Sequence, residues 1–367
     1  MKTRQVVVLG ATGSIGQSAR KVARDIPERM RIVGMSAHDN VAGLAEAACE
    51  FPEARTAISA GPDGAQRLIE LASMPEADMV IVAIVGTAGL APALAAIEAG
   101  KDIAVASKEI LVMAGEIVMR EAARKGVKIL PIDSEHNAIF QCLDGRDTSA
   151  VQRLILTCSG GPFRQASGET IATATPEAAL KHPTWSMGRK ISIDSATLFN
   201  KGLEMIEARW LFGVPMEKVD VVIHPQSIVH SMVEFVDGSI LAQLSHSDMC
   251  FPIQYAVTWP ERVSNTLRPL DFAALSRLDF EAPRRDDFPA LDLATRAGLT
   301  GGTLPAVLNA ANEIAVQAFL DREIGFPSIW QIVERVMDQC PFIEHPGLEE
   351  LLEVDRAARD LAREFVA

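Results

Sequence analysis

The chain has 367 residues, 48% of them apolar and 23% charged, with a formal net charge of −13 at neutral pH. At this length a single hydrophobic core usually divides, so two or three domains are expected. The acidic balance excludes a sequence-independent grip on nucleic acid or on an anionic membrane surface, both of which need a basic patch.

Two basic residues early in the chain lead straight into Val6-Val7-Val8-Leu9. That apolar run is too short for a secretory h-region, so no targeting segment is expected. Over the first 130 residues, β-branched runs at 5–9, 31–36, 56–59, 79–85, 102–105 and 128–131 alternate with longer, Ala-rich periodic stretches. This rhythm predicts an α/β architecture with a Rossmann-like doubly wound domain over 1–131, whose nucleotide site lies at the carboxyl ends of the strands. Residues 79–97 carry no charge and approach a membrane span in length, but Gly86, Gly89 and Pro92 break them into a buried strand and a helix at 90–99.

From 132 to 260 the strand signals at 153–157, 219–224, 231–235 and 239–244, with turns such as Asp237-Gly238, predict an α+β catalytic domain with a mixed or antiparallel sheet and one clear helix at 195–212. Residues 261–291, rich in Arg, Asp and Pro, read as a linker. Helical spacing at 304–322, 328–339 and 347–365 predicts a helical C-terminal domain over 292–367. Cys49, Cys142, Cys158, Cys250 and Cys340 are scattered without a C-x-x-C pair, which argues against a disulfide framework or a zinc knuckle and fits a reducing cytoplasm.

Four constellations carry possible chemistry. Gly10-Ala11-Thr12-Gly13-Ser14-Ile15-Gly16 follows a strand and opens a helix, as a pyrophosphate cradle requires; a tight turn that binds nothing is the alternative. At the end of the second strand, Asp39 beside Asn40 favours a free ribose 2′-hydroxyl, whereas a 2′-phosphate wants Arg or Lys, so NAD and NADP both stay open. In Pro131-Ile132-Asp133-Ser134-Glu135-His136, Asp133 and Glu135 share one side of an extended segment, a paired-carboxylate site or else a solvated acidic turn.

On the helix at 195–212, Asn200, Lys201 and Glu204 share a face; a surface salt bridge is one reading, and a phosphate-monoester site with Ser195 near the positive helix end is the other. Should Glu204 join Asp133 and Glu135, the all-oxygen set suits Mg²⁺ or Mn²⁺. Finally, Ser159-Gly160-Gly161 offers a hydroxyl and backbone amides to an anion, and the irregular stretch 182–188 places Trp185 where it acts as a substrate lid or as a hydrophobic plug.

These residues resemble one family along essentially the whole chain, the 1-deoxy-D-xylulose 5-phosphate reductoisomerases of the non-mevalonate isoprenoid pathway. The likeness runs through GATGSIG (10–16), AIVGTAGL (83–90), SKEILVMAG (107–115), PIDSEHNAIFQCL (131–143), SGGPF (159–163), the long stretch at 182–208, HPQSIVHSMVEFVDGS (224–239), AQLSHSDM (242–249) and LNAANEIAVQAFL (308–320). The resemblance implies a homodimeric enzyme that rearranges a ketose phosphate and reduces the product with a nicotinamide cofactor. It implies Asp133, Glu135 and Glu204 as divalent metal ligands, and Ser134, Ser159, His182, Ser195, Asn200 and Lys201 as substrate contacts. It further implies that Lys108 stands near substrate and nicotinamide and that Trp185 and Met187 belong to a lid. Thr12, Gly13, Ser14, Ile15, Asn40, Glu109 and Gly188 resemble cofactor contacts.

Three positions depart from the family's habit. Ser107 replaces a common Asn among the cofactor contacts, Ala11 stands where Ser is usual, and His38-Asp39 replaces a non-acidic pair. NADPH is expected, with NADH left possible by Asp39. A short-chain reductase is disfavoured because the only tyrosine, Tyr255, has Trp259 where a lysine would be needed. A thiol nucleophile at Cys142 or Cys158 lacks an adjacent base. A non-catalytic nucleotide sensor would have no use for the acidic set.

Overall fold

Val6, Val7, Val8 and Leu9 are wholly buried on both faces of their strand, as happens where a parallel sheet is covered on both sides. The computed structural model describes residues 3–185 and 187–367. The chain runs β1 (Arg4–Leu9), α1 (Ser14–Asp25), β2 (Met30–Ala37), α2 (Val41–Glu50), β3 (Arg55–Ile58), α3 (Gly64–Ala72), β4 (Met79–Val82), α4 (Leu90–Glu98), β5 (Asp102–Val105), α5 (Lys108–Lys125), β6 (Ile129–Pro131) and α6 (Ser134–Leu143). It continues through β7 (Val151–Cys158), α7 (Gly168–Ala172), α8 (Pro176–Ala179), α9 (Arg189–Thr197), α10 (Phe199–Phe212), β8 (Val219–Ile223), β9 (Val229–Phe235), β10 (Ile240–Leu244) and α11 (Cys250–Thr258). It ends with α12 (Phe272–Leu275), α13 (Ala290–Thr300), α14 (Leu304–Leu320), α15 (Ser328–Gln339) and α16 (Leu348–Val366). Among the described residues no helix is long and apolar enough to cross a membrane.

Two compact units result. The first comprises residues up to Ile110, Glu116–Phe140 and Asp248–Leu270. Its sheet has the order β3-β2-β1-β4-β5-β6 with every pairing parallel, the expected doubly wound arrangement. The order reverses between β1 and β4, which opens a crevice at their carboxyl ends beside the turn after β1. Helix α11 packs on α1 and adds Cys250, Ile253, Ala256 and Val257 to this core. The buried Asn137 amide secures the arrangement by donating to the Pro131 and Pro252 carbonyls at 2.9 and 3.2 Å.

The second unit comprises Leu111–Gly115, Gln141–Ser247 and Asp271–Ala367. Its mixed sheet has the order β10-β9-β7-β8, with β7 parallel to β8 and antiparallel to β9. Helices α15 and α16 both pack against α14, whose residues are buried along most of its length. The helix expected at 195–212 is two helices, α9 and α10, broken at Leu198 with a left-handed φ of +67°. Thr197 accounts for the break: its hydroxyl donates to the Ile193 carbonyl at 3.1 Å and accepts the Phe199 N–H at 3.4 Å, replacing the helical ladder there.

Close packing fixes α10 from two sides. A side chain at Gly115 would overlap the Trp210 indole, and one at Gly202 would reach within 2.6 Å of the Ala294 methyl. Gly115→Ala is therefore expected to cost about 1–3 kcal/mol of unfolding free energy, as overpacking of a filled core does. Urea denaturation followed by circular dichroism measures it, and an unchanged midpoint would contradict the packing argument.

Candidate active site

In the first unit the chain leaves β1 through Gly10, whose φ is +92° and where any side chain would collide with the Ala83 carbonyl. A side chain at Gly16 would likewise strike the Gly10 carbonyl and the Ala11 backbone. Backbone therefore passes close to backbone, and Gly13 caps α1 in an extended conformation without a side-chain hydrogen bond. Gly13 and Ser14 are exposed, while Thr12 and Ile15 are half-buried beside them. The amides and the positive helix end suit a pyrophosphate. Asn40 caps α2, its side chain accepting the Gly43 N–H at 2.9 Å.

The carboxyl end of β5 supplies the next group. Ser107 is buried and donates its hydroxyl to the Ile84 carbonyl, so its side chain engages the end of β4. Lys108 and Glu109 are buried in the first turn of α5. Lys108 forms an ion pair with Asp133. Burial works against ionisation of Asp133, but Lys108, His136 and a hydrogen bond with Glu135 outweigh it and hold the carboxyl well below the usual carboxylate range.

Asp133 and Glu135 are placed differently from the expectation of an extended segment. They do not face one side of an extended segment; the chain turns after β6, Asp133 accepts the Asn137 N–H through its carbonyl at 2.8 Å, and Glu135 lies in the first turn of α6. The two carboxylates still meet, now because a helix starts between them. Ser134 donates its hydroxyl to Glu135 at 2.6 Å.

In the second unit, Ser159 follows β7 and precedes Gly160 and Gly161, both at positive φ. His182 meets Ser159 at 3.0 Å through Nε2, while its Nδ1 accepts the N–H groups of Thr184 at 3.3 Å and Trp185 at 2.9 Å. Nδ1 must therefore be bare, and the ring is the neutral tautomer with Nε2–H donating to the serine. Ser159 Oγ also accepts the Gly161 N–H at 3.2 Å, so with His182 donating as well the hydroxyl's own proton is not used in either bond. A side chain at Gly161 would lie 2.7 Å from the Ser195 carbonyl. Ser159, His182 and Ser195 thus belong to one cluster.

Helix α10 adds Asn200, Lys201 and Glu204. The surface salt bridge considered for Lys201 and Glu204 is instead a buried ion pair, the two side chains being 2% and 1% exposed. Asn200 donates to the other Glu204 oxygen, and its own amide oxygen is buried without a partner. Trp185 is half-buried with its ring 6.4 Å from that of His230, Met187 is half-buried, and Gly188 caps α9. Ser186 in this stretch lies outside the described residues. Two histidines outside the expected set also lie here: His136 is buried next to the acidic pair, where its place directly after Glu135 is the signal in the sequence, and His230 faces the tryptophan.

Comparison with known proteins bears on these groups. The family model for 1-deoxy-D-xylulose 5-phosphate reductoisomerase matches residues 6–62 and 52–115, and the models for two C-terminal domains of the same enzyme match 129–212 and 244–361. The enzyme of that name from Symbiobacterium thermophilum is 51% identical over 380 residues, covering 98% of each chain. The solved structure of the enzyme from Zymomonas mobilis in complex with NADPH has 44% identity and a TM-score of 0.91, covering 100% of this chain and 99% of that one. A DOX-P reductoisomerase in complex with NADPH, fosmidomycin and magnesium has 41% identity and a TM-score of 0.90, covering 99% and 98%.

Burial pushes the His182 imidazole down to about 4, in keeping with two N–H groups aimed at Nδ1. Because the folded-state value lies below the unfolded one, the folded form loses stability as pH falls from about 6.5 toward 4. Nitrogen-15 NMR at pH 6 should find His182 neutral with its proton on Nε2; a titration midpoint near 6.5 would contradict the assignment.

Proposed function

The chain belongs to the 1-deoxy-D-xylulose 5-phosphate reductoisomerase family, and on that footing we propose how its residues divide the work. The enzyme converts 1-deoxy-D-xylulose 5-phosphate to 2-C-methyl-D-erythritol 4-phosphate by rearrangement of the carbon skeleton and reduction by NADPH, in isoprenoid biosynthesis. The observation that carries the site assignment is the buried Lys201–Glu204 pair with Asn200 beside it, a charge cluster that a surface helix would have no reason to desolvate.

Ser159, Ser195, Asn200 and Lys201 hold the phosphate, combining two hydroxyls, an amide and an ammonium. His182 orients Ser159 through its Nε2–H and anchors the turn that carries Trp185. Trp185 and Met187 cover the bound substrate and exclude water. Holding the phosphate, remote from the reacting carbons, spends binding energy on orientation. Ser134 contacts the substrate hydroxyls. Lys108, paired with Asp133, stabilises oxyanionic character or returns a proton.

Asp133, Glu135 and Glu204 are the ligands of a divalent cation. Their donors are all carboxylate oxygens, the hard chemistry of Mg²⁺ or Mn²⁺ rather than zinc. Bound there, the cation supplies Lewis-acid polarisation of the substrate's oxygens. The glycine turn and the open start of α1 fit the cofactor pyrophosphate, which supports Thr12, Gly13, Ser14 and Ile15 as its contacts, with Asn40, Ser107, Glu109 and Gly188 along the rest of the dinucleotide. The cofactor supplies hydride.

The enzyme acts as a cytoplasmic homodimer. The edge position of β10 and the exposure of Ile240 and Leu241 on it, with Val236 in the preceding turn, support pairing with a second copy; the free cysteines support a reducing compartment.

NADPH oxidation should require both the ketose phosphate and Mg²⁺ or Mn²⁺, and fosmidomycin should bind as it does in the solved relative. Glu204→Gln should lower kcat by about 10²–10³-fold, the scale of losing one preorganised charge; normal turnover with normal metal affinity would remove Glu204 from the ligand set. Leu241→Glu should sediment as a monomer, whereas an unchanged sedimentation coefficient would move the interface off β10.

A further inference from the structure

Within the first unit a cavity of about 300 Å³ is lined by Thr12 of the glycine turn, Arg20 and Arg24 of α1, and Asn40, Glu46 and Glu50 of α2. Thr12 belongs to the turn assigned to the pyrophosphate, and Asn40 caps α2 at the corner after β2. In doubly wound folds that corner reads the ribose 2′ position: a carboxylate takes a free hydroxyl, and an arginine nearby takes a 2′-phosphate. The cavity therefore runs from the pyrophosphate turn and that corner along the groove between α1 and α2 to Arg20, Arg24 and Glu50.

Both cations are present there, and both are already engaged. Arg20 grips Glu50 with two nitrogens, at 2.5 and 3.3 Å, and Arg24 reaches the same carboxylate at 2.6 Å. The hydrogen bond from Arg20 keeps the Glu50 carboxyl below its ordinary range, so it stays anionic. Two arginines against Glu46 and Glu50 leave the lining neutral, and the exposed Asp39 next to Asn40 adds a further negative charge at the corner. The Arg24 bridge opens to water, Arg24 being 50% and Glu50 33% exposed, and such ion pairs are weak; Arg20 is more enclosed, at 13%. A phosphate monoester is a stronger bidentate partner for a guanidinium.

Resting on the cofactor assignment made above, we infer that Glu50 sets the nicotinamide preference of this enzyme by competing with the 2′-phosphate for Arg20 and Arg24. NADPH has to displace the carboxylate before the arginines close on its phosphate. NADH leaves the Arg20–Glu50–Arg24 cluster as it stands and meets Asp39 with its 2′-hydroxyl. Discrimination between the two dinucleotides is narrowed accordingly.

The test is the ratio of NADPH to NADH affinity, measured on the full-length protein by quenching of tryptophan fluorescence, with 2′,5′-ADP against 5′-AMP as a second pair of probes. Glu50→Gln should shift the ratio at least fivefold toward NADPH, and Arg20→Met at least tenfold away from it. Urea denaturation of each variant checks that the fold is intact. A ratio within twofold of wild type in either folded variant overturns the inference. Wild-type protein that binds neither dinucleotide overturns the cofactor assignment itself, a separate outcome read from the same titrations.

Discussion

Lys201 and Glu204 sit one helical turn apart on α10 with almost no access to water. Stripping two ions of solvent costs several kcal/mol each, and an apolar pair of the same volume would usually serve stability as well or better. Such a pair persists where the charges are wanted for something else. The first unit repeats the device with Lys108 and Asp133, both side chains 11% exposed. Lys108 helps hold the Asp133 carboxyl well below the usual carboxylate range despite its burial, and in each unit the packing keeps an ammonium and a carboxylate desolvated and in contact.

The local backbone serves that end. Leu198 interrupts what would otherwise be one helix, so Ser195 sits near the end of α9 while Asn200, Lys201 and Glu204 occupy the opening turns of α10. A left-handed leucine is a strained choice, and the Thr197 hydroxyl supplies the hydrogen bonds that the broken ladder loses. Around Ser159 a similar arrangement appears in a loop: one imidazole, fixed in one tautomer by two backbone amides, sets the hydrogen bond that a serine hydroxyl receives.

Much of this was legible in the residues. The parallel sheet announced itself through buried β-branched runs, because a strand covered on both faces needs no polar alternation, and the turn after β1 through glycines that backbone contacts require. The α10 triad was visible as a shared helix face. What local pattern does not encode is burial: the same Lys-Glu spacing describes a solvated bridge and a desolvated pair, and only packing chooses. The start of α6 at Ser134 escaped for a related reason, since Asp133-Ser134-Glu135 reads equally well as an extended tail of β6 until the Asp133 carbonyl is seen to accept from Asn137. That Asp248–Leu270 counts with the first unit follows from long-range contacts of α11 with α1, which no window of sequence contains.

That last membership constrains how the molecule comes into being. A ribosome releases β1 through α6 early, yet four core side chains of the same unit arrive on α11 more than a hundred residues later. A nascent chain paused at residue 140 carries a sheet whose apolar layer lacks its covering helix, an aggregation-prone species that has to be sheltered until translation passes residue 270. An amino-terminal fragment cut at the end of β6 is, by the same logic, an unfinished domain, and grafting this dinucleotide module onto another protein means carrying α11 along with it.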